Sequence, residues 1–370
     1  MQDYTEDKVC RLVFAGDLLP ADRDHTAGVG AGTKLERKQS LWSSKISDLF
    51  RQGDLSLINL EAPLVENTGE NSRSAFAGQK GILDFLLDSG ITHAHVANNH
   101  ILEHGEKHFH KTVELLNQAG IGAVGVQENG KTRVNVQEIN GATIAVAGFN
   151  AIHDIPDTEN CYAALSAENV LSALCSPVME KADIRILSFH WGNEYVHIPS
   201  LDQIRLARKA IDAGAHIVAG HHPHVVQPVE SYKHGLICYS LGNFVFDMIW
   251  NRAVSTGLIV GITMGKDSVI QWDVYAARNH RHGPVTLLNN GWVNGCLKDY
   301  SQRMHRLLAQ GETAYRRAYT KQVRFNRFTA RIQMKVQLAF QLPSIPGKHR
   351  RAIVTSLIDR IMPPLKSRKR

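Results

Sequence analysis

Side chains that can bind metal ions or move protons follow short apolar runs at five places in this chain. Each run ends in a short polar motif. The five motifs are Gly16-Asp17, Asn59-Leu60-Glu61, Asn98-Asn99-His100, His190-Trp191-Gly192 and Gly220-His221-His222-Pro223-His224. Because buried strands of one sheet project the residues that follow them into the crevice at their carboxyl ends, we expect the five motifs to converge on one point.

The histidine-rich motif is the most specific of the five. Three imidazoles within four positions are hard to accommodate in a core, because each ring needs matching donors and acceptors. We expect Pro223 to hold the backbone extended, so that His222 and His224 project to one side while His221 points away. Two imidazoles on one side predict a metal-binding pair.

The candidate metal ligands mix carboxylate, amide and imidazole groups. The set is Asp17, Glu61, Asn99, His190, His222 and His224. Such a mixture suits manganese, iron or zinc better than an all-oxygen calcium site or a thiolate zinc site. Six side chains exceed what one ion with an open position needs, which indicates two ions about 3.5 to 4 Å apart and hydrolysis of a phosphoester or similar bond. His100 is the candidate proton donor to the leaving group.

The acidic and amide motifs also have purely structural explanations. Asp17 can cap a helix or close a turn, and Glu61 is weak evidence when taken alone. Asn98 and Asn99 can form an ordinary turn that carries a histidine. A further group of histidines at helical spacing is expected on a solvated helix face: His104, His108 and His110.

The elements that carry the motifs follow from the apolar periodicity. Apolar runs alternate with helical patterns up to about residue 220, which predicts βαβ units. Asn140-Gly141 joins two apolar stretches as a hairpin turn does, and two more hairpins are expected near Lys233 and Lys266. The mixture predicts an α/β fold with covered sheet faces, followed by antiparallel strands.

The charge of the chain is unevenly distributed. The 370 residues carry a net charge of +7, and 43% hydrophobic with 21% charged residues is ordinary globular composition. Residues 301–370 contain 17 Lys and Arg against 2 Asp and Glu, a net of +15, which leaves −8 for residues 1–300. Aromatic residues alternate with basic ones between residues 300 and 340, so we expect an amphipathic and helical basic extension there.

The cysteines and the N-terminus bear on the compartment. Five cysteines form no regular spacing and cannot all pair within one chain, which favours a reducing, cytoplasmic environment. The first eight residues lack the basic and apolar regions of a secretory signal. The sequence also lacks a run of about 18 apolar residues, so it predicts no membrane-spanning helix. We therefore expect a cytoplasmic protein, and the basic C-terminal tail adds the option of peripheral contact with the inner face of the membrane.

Taken in order, the motifs resemble those of the CapA family of capsule and poly-γ-glutamate synthesis proteins, which are similar to the calcineurin-like metallophosphoesterase superfamily. The resemblance covers about residues 10 to 250 and includes one further motif, Ser240-Leu241-Gly242-Asn243-Phe244. It implies a four-layer αββα sandwich with metals at the carboxyl ends of its strands. We expect this domain over residues 9–283 and the basic, helical extension over residues 284–370.

The resemblance also implies a role for each ligand. The first metal would be held by Asp17 and His224, with Glu61 as the bridging carboxylate. The second metal would be held by Asn99, His190 and His222. His100 would be the general acid or a contact to substrate phosphate. To these roles we add two further catalytic candidates, Glu194 and Asn98, and two substrate-binding candidates, Asn243 and His221.

Two departures from the superfamily pattern affect one metal position. Leu19 stands where those phosphoesterases usually carry a histidine, and Glu61 replaces the bridging aspartate. Glu103 stands where the family often carries aspartate, which is a smaller change. We therefore expect one of the two positions to lack a ligand and to bind metal weakly or not at all.

Two classes of function follow. The first is a metal-dependent hydrolase of capsule or cell-envelope polymer synthesis, with one or two Mn, Fe or Zn ions and a phosphoester or an amide of an acidic polymer as substrate. The second is a catalytically reduced binding or assembly protein of the synthesis or export machinery. We favour the enzyme. For the basic tail we favour anionic membrane over nucleic acid, with a helix packed on the acidic body as the alternative.

Overall fold

A computed structural model shows where the motifs lie. It describes residues 9–23, 26, 28–65, 76–152, 161–265 and 268–341. The prediction for the first eight residues, and the part of the basic extension beyond residue 341, lie outside the described residues.

The described elements alternate between strand and helix through most of the chain. The first part contains β1 (Cys10–Leu18), α1 (Ala31–Glu36), α2 (Ser44–Arg51), β2 (Leu55–Leu60), α3 (Ile82–Asp88), β3 (His93–His95), α4 (Glu106–Gln118), β4 (Gly122–Val124), β5 (Gln127–Glu128), β6 (Lys131–Thr132), β7 (Asn135–Ile139) and β8 (Ala142–Asn150). The second part contains α5 (Ala167–Leu174), α6 (Pro177–Lys181), β9 (Ile184–His190), α7 (Leu201–Asp212), β10 (Ile217–His221), β11 (Val229–Tyr232), β12 (Gly235–Cys238), β13 (Asn243–Val245), β14 (Thr256–Met264), β15 (Val269–Arg278), β16 (Thr286–Leu287), α8 (Gly291–Ala309) and α9 (Glu312–Gln341).

Two large sheets form the centre of the molecule. The first has the order β16-β15-β14-β1-β2-β3-β4, with β13 also paired to β1. Its strands β1 to β4 are parallel, whereas β14 to β16 are antiparallel. The second sheet has the order β11-β12-β10-β9-β8-β7, with antiparallel pairs only at its two edges. The three predicted hairpins are confirmed as β7–β8, β11–β12 and β14–β15.

The apolar side chains form three layers around these sheets. Along β1, Leu12 and Phe14 face the second sheet, whereas Val13 and Ala15 face helices α2, α3 and α4. A third apolar layer lies between the second sheet and helices α5, α6 and α7. The order of layers is therefore helices, sheet, sheet, helices, which confirms the predicted αββα sandwich. Each fully buried large apolar side chain contributes about 1.5–3 kcal/mol to its stability.

The register of the strands brings the polar motifs side by side. In the first sheet, Asp17 pairs with Asn243 on one side and with Asn59 on the other, and Asn59 pairs with His95. In the second sheet, His190 pairs with His221. Two rows of polar side chains thus end at the same edge of the sandwich, one row from each sheet.

The C-terminal helices are part of the packed body. Val293 of α8 lies in the layer between the two sheets, and Tyr315 of α9 lies in the third apolar layer. The Tyr315 hydroxyl donates to the Pro199 carbonyl at 2.7 Å. From residue 291 to residue 341 the basic extension is helical, in agreement with the prediction, and it is partly buried. The boundary at residue 284 stays a prediction, and β16 lies just beyond it.

Membrane-spanning helices were not expected from the sequence. Between residues 9 and 341, none of the helices that the structure describes has the length and apolar composition needed to cross a bilayer. The five cysteines are all free, and three of them lie in the core: Cys10, Cys161 and Cys238.

Truncating Tyr315 tests whether α9 belongs to the cooperative unit. We expect Tyr315→Ala to lower the free energy of unfolding by about 3–5 kcal/mol, because a fully buried aromatic ring is replaced by a cavity. Tyr315→Phe should cost only about 1 kcal/mol, the value of one hydrogen bond. Phe325→Ala on the exposed side of the same helix should change stability by less than about 0.5 kcal/mol. Urea denaturation measures all three, and equal effects of the alanine variants would contradict the packing.

Candidate metal centre

Asp17 lies at the carboxyl end of β1 and is completely buried. Its backbone N–H donates to the Gly242 carbonyl at 2.9 Å, which ties the end of β1 to β13. The preceding residue must be glycine, because a Cβ on Gly16 would lie 1.8 Å from the Gly242 carbonyl oxygen. This explains why glycine precedes Asp17, because the close backbone contact fixes the point from which the Asp17 carboxylate projects.

The Asp17 carboxylate is surrounded by hydrogen-bond donors from both sheets. Its Oδ1 accepts from Asn59 Nδ2 at 2.8 Å and lies 3.5 Å from His221 Nδ1, and its Oδ2 lies 3.3 Å from His224 Nδ1. Burial raises the pKa of Asp17, but the imidazoles of His221 and His224 outweigh burial and hold this pKa well below its ordinary value. Asp17 is therefore ionised at neutral pH.

Glu61 is a second fully buried carboxylate beside Asp17. Its Oε2 accepts from Asn59 Nδ2 at 3.1 Å, and its Oε1 lies 3.6 Å from His224 Nε2. Burial, followed by the charge of Asp17, raises the pKa of Glu61 well above its ordinary value. Two carboxylates this close in a dry site cannot both stay ionised without a cation or a protonated histidine between them.

The three histidines of the predicted ligand set do not share one charge state: two are neutral and one is protonated. Burial, followed by His222, lowers the pKa of His190 well below its ordinary value. Burial and then His224 lower the pKa of His222 to about 3. Burial opposes protonation of His224, but Glu61 and Asp17 outweigh it and raise the pKa to about 10. His224 is thus the cation that accompanies the carboxylate pair, while His190 and His222 are neutral and able to donate a lone pair.

Asn99 links two of the imidazoles. Its Oδ1 lies 2.9 Å from His190 Nε2, and its Nδ2 lies 3.2 Å from His100 Nε2. An amide oxygen and an imidazole nitrogen at this separation are arranged as neighbouring ligands of one divalent ion would be.

Several buried ligand atoms have no hydrogen-bond partner among the described residues. They are Asp17 Oδ2, Glu61 Oε1, His222 Nδ1 and both ring nitrogens of His221. A buried polar atom without a partner costs about 1–3 kcal/mol, so a group of them in one place indicates a missing ligand. Asp17, Glu61 and His190 also offer ligand atoms that all lie within 4.8 Å of one another. These carboxylate and imidazole atoms fit a divalent transition metal.

The structure brings all six predicted ligands to one place, but one part of the prediction is wrong. His221 was expected to point away from the pair formed by His222 and His224, yet its Nδ1 lies 3.5 Å from Asp17 Oδ1. The backbone is not extended as Pro223 suggested, because His222 has a φ of 93° and His224 a φ of 57°. These left-handed residues re-aim the side chains, and all three imidazoles enter the site.

Two further residues of the centre were not predicted as site residues. Asn59 donates from one amide nitrogen to both carboxylates and lies 3.4 Å from His190 Nδ1. His95 is fully buried and stacks on His190 and His221, with ring centroids 6.5 and 5.7 Å away. Burial lowers its pKa to about 3, and its Nε2 donates to the Ala97 carbonyl at 2.7 Å. Asn59 follows an apolar run, which was the signal available in the sequence, whereas His95 precedes Val96-Ala97 and gave no such signal.

His100 lies at the mouth of the centre and is oriented by two neighbours. Its ring stacks on Phe76 with the centroids 3.5 Å apart, and its Nδ1 contacts Glu103 Oε1 in a short hydrogen bond. Its Nε2 faces inward, 3.8 Å from Glu61 Oε1. Glu103 also accepts from the Phe76 backbone N–H at 2.9 Å, so one carboxylate holds both members of the stacked His100–Phe76 pair.

The other predicted catalytic and substrate-binding residues surround the centre. Asn98 donates to Asn59 Oδ1 and to the Leu60 carbonyl, at 3.2 and 2.8 Å, so it braces the end of β2. Asn243 accepts from His224 Nδ1 at 2.9 Å and donates to the Val254 carbonyl, which places it behind His224. Glu194 is half-buried, and after burial and Asp17 its charge also raises the pKa of Glu61.

Leu19 occupies an apolar position beside the centre. It is 1% exposed and packs in a small cluster with Ala62, Phe76, Val225 and Phe246. The side chains that contact Leu19 in this cluster are apolar, with Tyr195 and Trp250 packed at its edge. That the first metal position, which the resemblance assigns to Asp17 and His224, lacks a ligand stays a prediction.

Comparisons with known sequences find similarity to bacterial capsule synthesis proteins. The sequence profile described as "Bacterial capsule synthesis protein PGA_cap" matches residues 11–248. The "Capsule biosynthesis protein CapA" of Bacillus anthracis is 32% identical over 229 residues, which is 58% of this chain and 56% of that protein. The "PGA biosynthesis protein CapA" of Bacillus subtilis strain 168 is 32% identical over 270 residues, covering 70% of this chain and 69% of that protein. The match thus spans little more than half of the first relative.

Solved structures give more distant likenesses. The calcineurin-like phosphoesterase YfkN from Bacillus subtilis is 12% identical, with 86% of this chain and 99% of that chain covered at a TM-score of 0.44. A hypothetical protein from Thermus thermophilus is 15% identical, with 73% and 100% covered at a TM-score of 0.47.

Metal binding should release protons. Because His224 has a pKa of about 10 in the protein without an ion, a divalent cation that takes its lone pair must displace its proton. Titration calorimetry with manganese near neutral pH, in buffers of different ionisation enthalpy, should therefore report release of about one to two protons per chain. Affinity should rise as the pH rises.

Two histidine variants test which imidazole releases the proton when the metal binds. His224→Asn should weaken binding and reduce the release by about one proton. His222→Asn should weaken binding without changing the release, because the pKa of His222 is about 3 and its imidazole is already neutral. Equal proton release from the native chain and from both variants would contradict this assignment.

Proposed function

The chain belongs to the PGA_cap family of bacterial capsule synthesis proteins, and from this premise we propose that it is a metal-dependent hydrolase of capsule or cell-envelope polymer synthesis. The "PGA biosynthesis protein CapA" of Bacillus subtilis is named for PGA, which we take to be poly-γ-glutamate. An acidic polymer or a phosphorylated precursor is therefore the proposed substrate class. One or two divalent ions, manganese, iron or zinc, are the proposed cofactors.

The observation that carries this proposal is the group of buried ligand atoms that have no hydrogen-bond partner among the described residues. Asp17 Oδ2, Glu61 Oε1 and His222 Nδ1 are all shielded from water and meet at one edge of the sandwich. A purely structural site would pair these atoms with donors, because each unpaired buried atom destabilises the fold. Asp17, Glu61, Asn99, His190, His222 and His224 are the residues proposed to hold the ion or ions.

When bound, a divalent ion supplies Lewis-acid polarisation of a phosphoryl or carbonyl oxygen and acidifies water. The side chains of this protein supply orientation and proton transfer. Glu103 accepts a hydrogen bond from His100 Nδ1 and so directs Nε2 toward the centre. From there Nε2 can give a proton to a leaving oxygen or nitrogen, which is the role of a general acid. Asn59 and Asn98 hold the carboxylates and the end of β2 in place.

Two arginines at the mouth fit an anionic substrate. Arg23 lies over the Phe76 ring at 4.7 Å, next to the ring that stacks on His100. Arg327 of α9 donates to Asn193 Oδ1 at 2.9 Å, in the loop that follows His190. Both residues retain partial or full solvent exposure. Positive charges at the rim attract a phosphate or a glutamyl carboxylate before it meets the buried carboxylates.

A second candidate function is favoured by Leu19. Leu19 packs among apolar side chains, and a leucine there would leave the first metal position one ligand short. That is the change expected in a protein that keeps the fold and one ion but has lost turnover. Such a protein would bind the polymer or assemble the synthesis or export machinery.

Turnover separates the two functions. The manganese-loaded chain should hydrolyse bis(p-nitrophenyl) phosphate or a γ-glutamyl oligomer, and His100→Gln should lower kcat by about 10² to 10⁴ because the general acid is lost. His110→Gln, on the exposed side of α4, is the matched control and should leave kcat unchanged. A native chain that binds manganese but turns over neither substrate would overturn the hydrolase in favour of the binding protein.

The number of metal ions can be tested by restoring the missing ligand. Leu19→His should raise bound manganese from about one to about two ions per chain, because it adds an imidazole on the side of Asp17. Leu19→Asn, which introduces a shorter polar side chain, is the control for the loss of the apolar contact. Elemental analysis after gel filtration gives the stoichiometry, and an unchanged metal content in a folded Leu19→His protein would contradict the one-ion interpretation.

A further inference from the structure

Exposed apolar side chains are concentrated on α9. Ten large apolar side chains are exposed among the described residues, and five of them lie between residues 325 and 336 of this helix. Phe325 and Phe328 are the most exposed, at 65% and 64%. The other five are scattered singly over the body, as is normal for a protein surface. A cluster of this size calls for an explanation.

Four of these side chains form one continuous stripe. Phe325, Phe328, Ile332 and Val336 are spaced by three, four and four residues, which places them on one side of an α-helix. Up to Ala330, an adjacent side of α9 is buried against the body through Tyr315, Gln322 and Ala330, whereas residues 331–336 are exposed on every side. The stripe therefore faces solvent on a helix whose first part, up to Ala330, is already packed against the body.

Basic residues flank the stripe and acidic residues are absent. Residues 313–341 contain seven Lys and Arg and no Asp or Glu. Lys321, Arg324 and Arg331 are all exposed and lie beside the stripe on the helix surface. We propose that this outer face of α9, made of the apolar stripe and its basic flank, docks onto an anionic lipid surface. Docking does not depend on the hydrolysis proposed above.

A lipid surface satisfies both parts of the face. The Phe and Ile side chains enter the boundary between headgroups and acyl chains, while Lys and Arg extend to the anionic headgroups. An acidic polymer would pair with the basic side chains but would leave Phe325 and Phe328 in water. Residues 342–370 carry eight Lys and Arg against one Asp, so their charge opposes rather than favours contact with the basic flank.

The inner face of α9 connects this surface to the metal centre. Asn326 donates to the Tyr195 carbonyl, and Asn193 donates to the Tyr319 hydroxyl at 3.0 Å. Both contacts are made to the loop that follows His190 and carries Glu194. Because a helix with its side chains is about 10–12 Å thick, docking would hold the mouth of the centre about one helix diameter from the headgroups.

Vesicle co-sedimentation of the full-length chain tests the proposal. The native protein should bind vesicles of phosphatidylcholine with about 30% phosphatidylglycerol, and should bind pure phosphatidylcholine much more weakly. Phe325→Ser with Phe328→Ser should weaken binding about tenfold or more, because two apolar anchors are lost. The triple variant Lys321→Gln, Arg324→Gln and Arg331→Gln should weaken it on the order of a hundredfold at low salt, about fivefold for each charge.

Matched variants on the body serve as controls. Ile270→Ser with Val136→Ser removes two apolar side chains that are 61% and 48% exposed, and Lys45→Gln, Lys107→Gln and Lys181→Gln removes three exposed charges. Neither should change vesicle binding, and thermal melts should show all variants folded. Since the charge variant leaves the stripe intact, it tests docking even where the serine variant unfolds.

Three results would overturn the proposal. The first is equal vesicle binding by the α9 variants and their controls. The second is absence of vesicle binding together with poly-γ-glutamate binding that only the charge variant loses, which would assign the face to the polymer. The third is a native dimer in light scattering that the serine variant converts to a monomer without vesicle binding, which would assign it to a second copy.

Discussion

The structure depends on two carboxylates that are buried next to each other. Asp17 and Glu61 are both fully buried, and one amide nitrogen of Asn59 reaches both of them. Removing two like charges from water destabilises a fold unless positive charge is close by. In this protein the positive charge comes from His224, whose pKa the pair itself raises, and a divalent ion would replace it. The neighbouring imidazoles, amides and strand ends are arranged around this requirement.

Both sheets contribute side chains around the buried carboxylate pair. The first sheet supplies Asp17 and Asn59 from neighbouring strands, and the second supplies His190 and His221. The backbone contact between Gly16 and Gly242 fixes the end of β1, so the carboxylate cannot move away from the imidazoles. A ligand that binds this arrangement but not the unfolded chain stabilises the fold by mass action. Metal affinity and fold stability are therefore linked through the same few atoms.

The C-terminal helix α9 contacts the metal centre's loop with one side and faces solvent with the other. The inner side of α9 contributes Tyr315 to the core and contacts the loop that follows His190. The outer side keeps its Phe and Arg side chains in solvent. A partner on the outer side would therefore act on the mouth of the centre through one element, without crossing the body of the protein. The position of Arg327, on α9 and beside the loop, fits the same arrangement.

The sequence by itself determined which residues end the apolar runs, where the hairpins turn and which family's motifs occur in order, because strand periodicity and turn chemistry are local. Only the tertiary structure decided which of these residues touch. His221 enters the site because His222 and His224 adopt left-handed backbone angles that local patterns do not reveal. Asn59 and His95 become part of the centre through strand register. Likewise, only packing decided which side of α9 is buried, since both sides mix apolar and polar residues.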